Sequence, residues 1–366
     1  DDDSWLSSGT LSGRVHEVDG LLHLSHRNGH ETASYKGNDC TGLARTSANP
    51  EDARTTNMLA KLGLNYGDDN HLVMTYEDYK DNRYVDLKNA IGGPFVDGKG
   101  MNFYRKRLGN DVITRKRFGL KNSLTIESPV ADHISTSLNY QIANTDQATT
   151  EIYKKEIRLL RTHDTLYEEN QRVFDVQLNK NLSLFETDHK VTYGITGRHQ
   201  KDTSLREESE SNVVKKYSDF PDPTINTYSL FAQDQIIWKK WTFLPAVRYD
   251  YTHLKPKLTK EFLNTVNPTG QYPVTDKKIM WHHVTPKLGL TYSLTDQYTW
   301  FGQYSEGFRT PSAKALYGRF ENLDLGYIVE PNANLKPETS KGIETGIRSE
   351  SHYGSFDIAL FYNGYS

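Results

Sequence analysis

The side chains here best suited to holding a metal or moving a proton are 13 histidines, 23 tyrosines and one cysteine, Cys40. Their spacing supports no enzyme: there is no Gly-x-Ser-x-Gly elbow, no phosphate-cradling glycine loop and no His-Glu-x-x-His pair, and Cys40 has no recognisable base. The 47 acidic residues read as solvated loop charge rather than as a catalytic pair. His26 and His30, four apart, would share a face of a helix, but Asn28-Gly29 between them signals a turn and argues against a metal site. His282-His283 precede a strand-like segment and read as rim residues. The richest stretch is 305–338, which carries Phe308-Arg309-Thr310-Pro311, then Lys314, Tyr317, Arg319 and Tyr327, then Asn332-Ala333-Asn334-Leu335. Pro311 has no amide to donate and ends strand pairing, and Arg309 is placed to pair with a carboxylate. Asn332 and Asn334 suit a turn that restarts a strand. These residues are either architectural or in contact with a ligand, and aromatic residues on such loops commonly meet a partner protein.

The elements that must position this stretch follow from composition and pattern. The apolar fraction is 36% and the mean hydropathy -0.72, well below the roughly 45–50% apolar content of soluble domains. A barrel in a membrane tolerates this, because only alternate residues face lipid. No run of about 18 apolar residues exists, which excludes a spanning helix and leaves a spanning barrel open. With 44 basic and 47 acidic residues intermixed, there is no basic field for nucleic acid. Cys40 lies in an apparent loop and either stays free or pairs with a cysteine outside this sequence. No secretory signal is present, and the first residues look like the interior of a larger protein.

Tight polar turns recur at 67–70, 128–132, 185–188, 239–240, 294–297 and 351–354. Between them lie excursions near 28–53, 80–111, 145–165, 200–226, 252–281 and 305–338, expected to be long loops. Short turns on one side and long loops on the other is the habit of outer-membrane barrels. The flanking segments alternate with period two. Trp241, Phe243, Pro245, Val247, Tyr249 and Tyr251 oppose Thr242, Leu244, Ala246, Arg248 and Asp250. Apolar residues are expected outward, and Trp238, Trp241, Tyr298 and Trp300, beside the short turns, are expected to form an interfacial girdle. The rival is a soluble antiparallel β-protein, which shows the same alternation but not the repeated asymmetry of loop lengths.

Residues Phe301 to Glu344 resemble a segment of the TonB-dependent outer-membrane receptors. The haem and haemoglobin receptors of that superfamily carry Phe-Arg-Ala-Pro and Asn-Pro-Asn-Leu signatures, matched here with one substitution each by Phe308-Arg309-Thr310-Pro311 and Asn332-Ala333-Asn334-Leu335. The segments 228–235 and 18–31 also look like strands of this family. The resemblance implies an all-β fold: a transmembrane antiparallel β-barrel in the outer membrane of a Gram-negative bacterium. Residues 1–366 would be one partial barrel domain with long extracellular loops. The roughly dozen strand-like segments fall short of the family's roughly 22 strands, so the plug domain and several strands are expected to lie outside this sequence.

What the resemblance implies about function is active import of haem, taken from haemoglobin or a haemophore and driven through the TonB complex by way of the plug. Haem is then a transported ligand rather than a catalytic cofactor. Iron in haem takes His or Tyr as axial ligand. The family's loop between the two signatures commonly offers a histidine, yet residues 312–331 contain none. Tyr327 is therefore the candidate iron ligand. Tyr317 shares its loop, and Arg319 and Lys314 are candidate partners for propionates. The site residues expected from the resemblance are Phe308, Arg309, Pro311, Tyr317, Arg319, Tyr327, Asn332 and Asn334, with a haem-carrying protein docked on the outer loops and lipid around the wall. A transferrin or lactoferrin receptor is the alternative, since Gly307 to Ser312 and Tyr317-Gly318 resemble that branch too. A siderophore receptor comes third; a passive porin and a soluble β-rich binding module lie further off.

Overall fold

The computed structural model describes residues 2–96, 101–153, 159–210, 213–267, 274–322, 327–352 and 354–366. In chain order the elements are β1 (Trp5–Val15), β2 (Val18–His30), β3 (Glu51–Tyr66), β4 (Asn70–Asp86), β5 (Pro94–Val96), β6 (Met101–Thr125), β7 (His133–Tyr153), β8 (Leu159–Leu184) and β9 (Thr187–Glu210). There follow β10 (Val213–Tyr217), β11 (Asp222–Trp238), β12 (Trp241–Lys257), α1 (Lys260–Val266), β13 (Ile279–Ser293), β14 (Tyr298–Arg309), α2 (Ala313–Tyr317), β15 (Phe320–Asn322), β16 (Tyr327–Val329), β17 (Glu338–Ser351) and β18 (Gly354–Tyr365). The long strands form one antiparallel sheet of nearest neighbours, β1-β2-β3-β4-β6-β7-β8-β9-β11-β12-β13-β14-β17-β18, with β5 and β10 as short additions on β6 and β9. All six turns read from sequence close hairpins, and a seventh joins β1 to β2. No helix among the described residues is long and apolar enough to cross a membrane.

Register makes the two faces distinct. Met74 pairs with Leu120, Leu120 with Leu138, Leu138 with Phe174, and Phe174 with Gly197. The row resumes as Pro245 with Leu288, Leu288 with Tyr304, Tyr304 with Ile343, and Ile343 with Tyr362. Each strand therefore contributes its apolar set to the same side, and that side is exposed: Leu230 is 57% and Leu360 75% accessible. Burying such a surface in lipid is what a barrel wall requires. The opposite face is polar and internally paired: Arg115 meets Glu77, Thr196 donates to Asp175 at 2.8 Å, and Arg248 donates to Asp250 at 2.9 Å. Of the expected girdle, Trp238, Trp241 and Trp300 fall in one row across four strands together with Tyr292, whose ring lies 4.5 Å from that of Trp241, while Tyr298 stands one step nearer the turn, its ring 6.2 Å from that of Phe356. Tyr228 stands ten residues above Trp238 on β11. At about 3.4 Å per residue and a tilt of about 45°, that is about 24 Å, close to the height of a lipid-facing band.

Two glycines on the polar face exist for close approach. A Cβ at Gly194 would fall 2.9 Å from the Phe231 ring, and one at Gly346 would fall 2.6 Å from the Phe301 ring, so each aromatic lies across a neighbouring strand that has no side chain.

Several expected loops are strand. β6 begins at Met101, β7 and β8 run on to Tyr153 and from Leu159, and β9 reaches Glu210. Above the apolar band both faces meet water, so the period-two signal fades while the backbone ladder continues. His26 and His30 also lie in strand, on one face of β2, because residues four apart share a face in a strand as well; His30 stands 3.4 Å from Asp52. His282-His283 likewise lie inside β13. Cys40 is exposed in the loop 31–50.

A charge cluster locks the tall β6-β7-β8 extension. Glu151 is 1% exposed and meets Arg161 at 2.6 Å, Arg107 at 3.0 Å and His163 at 3.4 Å. Burial works against its charge, but hydrogen bonds from His163 and Arg161 and the charges of Arg161 and Arg107 prevail and hold it down at about 2. A carboxylate depressed from 4.5 contributes stability that is whole above its unfolded pKa and is lost as pH falls from about 4.5 towards about 2. The protection of amides in residues 104–110 and 147–153, taken relative to their intrinsic exchange rate at each pH, is therefore expected to fall over that window. Glu151→Gln should remove the pH dependence and weaken the extension by about 3–5 kcal/mol, as when one partner of a buried pair is lost. Leu230→Arg, in the lipid-facing band, should cost about 2–4 kcal/mol in refolding into vesicles, read from the shift of the folded band on unheated gels.

Candidate functional site

The connections β12-to-β13 and β14-to-β17 fold against each other at the end of the barrel away from the short turns. α1 starts at Thr259, whose hydroxyl accepts from the Phe262 amide at 3.2 Å. α2 starts at Ser312 in the same way, accepting from the Ala315 amide at 3.2 Å. Each short helix turns its apolar side to one cluster: Phe262 and Val266 from α1, Leu316 and Tyr317 from α2, Leu254 at the top of β12, and Ile279 and Trp281 at the start of β13. Leu254, Ile279 and Trp281 belong to the inward set of their strands, so the cluster sits over the lumenal side of the mouth.

The two signatures converge on this cluster. Pairing between β13 and β14 runs from Ser293–Thr299 to Lys287–Ser305; beyond it Phe308 packs on the cluster and stacks flat on His283, centroids 4.6 Å apart and planes 5° apart. Arg309 pairs across to Glu338 and their charges lie 3.8 Å apart, both well exposed. β14 ends at Arg309, before Pro311, where a missing amide would break the ladder. At the second signature the Asn332 side chain accepts from the Asn334 amide at 3.0 Å, closing a turn, and the Asn334 side chain accepts from the Lys277 ammonium at 3.1 Å.

Lys277 also serves Tyr317. The Tyr317 ring is 2% exposed and its hydroxyl donates to the Lys277 carbonyl at 2.7 Å; burial pushes the phenol up to about 12, so it remains a neutral donor at physiological pH. Gly318 follows with no room for a side chain, a Cβ there falling 2.5 Å from the Lys314 carbonyl and 2.9 Å from that of Asp219. Lys314 faces Asp219 at 3.6 Å, and Arg319, 8% exposed, faces Glu330 at 3.5 Å. Tyr327 is different: it lies on β16, which pairs with β15 as a separate hairpin, and is 45% exposed. Residues 323–326, between them, lie outside the described residues.

The structure thus gathers Phe308, Tyr317, Arg319, Asn332 and Asn334 around one mouth-side core, leaves Arg309 on the strand edge beside Pro311, and sets Tyr327 on the outer hairpin. Sequence reading missed Lys277 and the part of His283 that receives Phe308. Lysine in a polar loop carries no pattern, and the stack arises only where two non-paired strand ends meet. Among the described residues no group of three or more metal-binding side chains is present.

Residues 47–366 match the family model described as TonB dependent receptor-like, β-barrel. Over 98% of its length the chain is 22% identical to hemoglobin-haptoglobin utilization protein B of Neisseria meningitidis serogroup C, covering 49% of that protein. Over 90% it is 23% identical to TonB-dependent heme receptor A of Haemophilus influenzae, covering 44%. The chain spans about half the length of these curated relatives. Among solved structures it is similar to the hemophore receptor HasR of Serratia marcescens, in a double-mutant complex with its hemophore HasA and heme. The TM-score is 0.70 at 18% identity, over 98% of this chain and 52% of that one. The unliganded ferric citrate transporter FecA superposes with a TM-score of 0.66 at 13% identity, over 100% of this chain and 49% of the other. These structural likenesses speak for the fold. With an apolar outer band, a polar lumen and a family match across most of its residues, the chain belongs to the TonB dependent receptor-like β-barrel family of Gram-negative outer membranes.

Proposed function

We propose that the receptor containing this chain takes haem from a haem-carrying protein at the cell surface and imports it with energy delivered through TonB. The observation that carries this reading is the docked β14-to-β17 connection. It holds both signature segments against the mouth-side core through Phe308 on His283 and Asn334 on Lys277. The relatives' names, haemoglobin-haptoglobin utilization and heme receptor, point to the same cargo. The receptor is a transporter and not an enzyme, and TonB reaches it through a plug domain.

Within this reading Tyr327, on the exposed hairpin, meets the iron as axial ligand, and Arg319 and Lys314 serve the propionates. Phe308, Arg309, Pro311, Tyr317, Asn332 and Asn334 hold the loop that presents them. The carrier docks on the tall strands and loops around the mouth, and lipid surrounds the wall.

The test is a pull-down and absorbance titration of the detergent-purified receptor with haem, haemoglobin, haemoglobin-haptoglobin, a haemophore and iron-loaded transferrin. Binding of a haem-loaded carrier with a Soret shift is the expected outcome; capture of transferrin without any haem response would move the protein to the transferrin branch. Tyr327→Phe should abolish the tyrosinate contribution to the haem spectrum and weaken haem binding about tenfold, equal to about 1.4 kcal/mol. Tyr317→Phe should leave that spectrum unchanged while costing about 1 kcal/mol of loop stability through the lost bond to the Lys277 carbonyl.

A further inference from the structure

The arginines of the lumenal face are ordinarily paired with carboxylates. Arg83 meets Asp81 at 2.9 Å, Arg115 meets Glu77, Arg248 meets Asp250 at 2.9 Å and Arg348 meets Asp357 at 2.8 Å. Arg117 and Arg198 depart from this: among the described residues neither has a carboxylate within ion-pair distance. Glu77 stands across from Arg117 in register but is taken by Arg115, and Arg117 donates instead to the Asn139 side chain at 3.4 Å. Glu169 feels the charge of Arg198 without touching it, and burial and the neighbouring Asp202 push that carboxyl up.

Between these two arginines the wall is built of neutral amides. Arg117 pairs with Gln141, Gln141 with Gln171, and Gln171 with Gln200, while Val173, one inward step nearer the short turns, pairs with Arg198. The row runs on from Gln200 through Ile225 to Leu254 of the mouth-side core, so it is reached from the mouth along the lumenal face. Arg117, Asn139, Gln141, Gln171 and Val173 enclose a recess of about 180 Å³. A whole drug-sized ligand takes roughly 300–1,000 Å³, so the recess admits an arm of a ligand and not its body. Each amide offers two donors and each guanidinium five, and bonds from arginine to a carboxylate are among the strong ones. Three strand spacings of about 4.8 Å set Arg117 and Arg198 about 14 Å apart at the backbone, a span that two long side chains can close on one ligand bearing two carboxylates.

We propose that this stretch of lumenal wall is a second seat for a dicarboxylate porphyrin, one propionate entering the recess against Arg117 and Gln171 and the other lying on Arg198. The seat rests on the haem reading above and extends it inward from Arg319 and Lys314, the mouth-side partners for the same groups.

The test is an absorbance titration of the detergent-purified receptor with haem and with haem dimethyl ester, which keeps the iron and the ring but has no free carboxylate. Combined Arg117→Gln and Arg198→Gln should weaken haem binding about tenfold, equal to about 1.4 kcal/mol, and leave the ester unchanged. Gln171→Glu, which keeps both arginines and puts a competing carboxylate in the recess, should act in the same direction. No Soret response to haem in the wild type would remove the cargo reading and the seat together; a normal response that both variants retain would remove the seat alone. Equal weakening of haem and ester would mark a structural role and overturn the proposal. If the two arginines instead hold a carboxylate of the plug, cells carrying the double variant should admit large antibiotics passively while its haem affinity stays at the wild-type value, and that result would overturn the proposal too.

Discussion

Inside lipid no water is available to an amide, and each unsatisfied backbone group there costs several kcal/mol. Nearly everything in this chain follows from that one constraint. The long strands pair only with sequence neighbours, since a hairpin meander is the simplest route by which every amide finds a carbonyl. Strict side-chain alternation comes with the ladder, and alternation is what lets a chain only 36% apolar present a continuous hydrophobic wall. The polar face can then hold Arg248 beside Asp250 and Thr196 beside Asp175 without exposing them to lipid.

Beyond the band the constraint relaxes and different interactions take over. The β6-β7-β8 extension has no lipid to bury itself in and relies on Glu151 with its arginines and on cross-strand pairing. The mouth is organised as a small soluble protein is, by two capped helices over an apolar core in which Phe262 and Leu316 are wholly inaccessible. The result is a membrane wall below and a water-exposed docking structure above, joined strand by strand.

Legibility in the sequence tracks this division. The hairpin turns, the outward set around Trp241 to Tyr251 and the inner girdle were readable because lipid enforces the pattern there. The upper halves of β7, β8 and β9 were not, because polar residues such as Thr149 and Glu151 suit a strand and a loop equally once both faces are wet. At the mouth, Phe308-Arg309-Thr310-Pro311 and Asn332-Ala333-Asn334-Leu335 could be located but not oriented. Phe308 finds His283 and Asn334 finds Lys277 only in three dimensions, across 25 and 57 positions of sequence.

Lys277 holds the two mouth connections by different chemistry at its two ends. Its main-chain oxygen takes the Tyr317 hydroxyl, while its flexible ammonium takes the Asn334 side chain. The first grip is short, buried and indifferent to salt; the second is exposed and charge-assisted. The loop behind β14 is thus hinged like a door with one fixed pin and one releasable latch, and a polyanionic surface arriving from outside would work on the latch while the pin stayed in place.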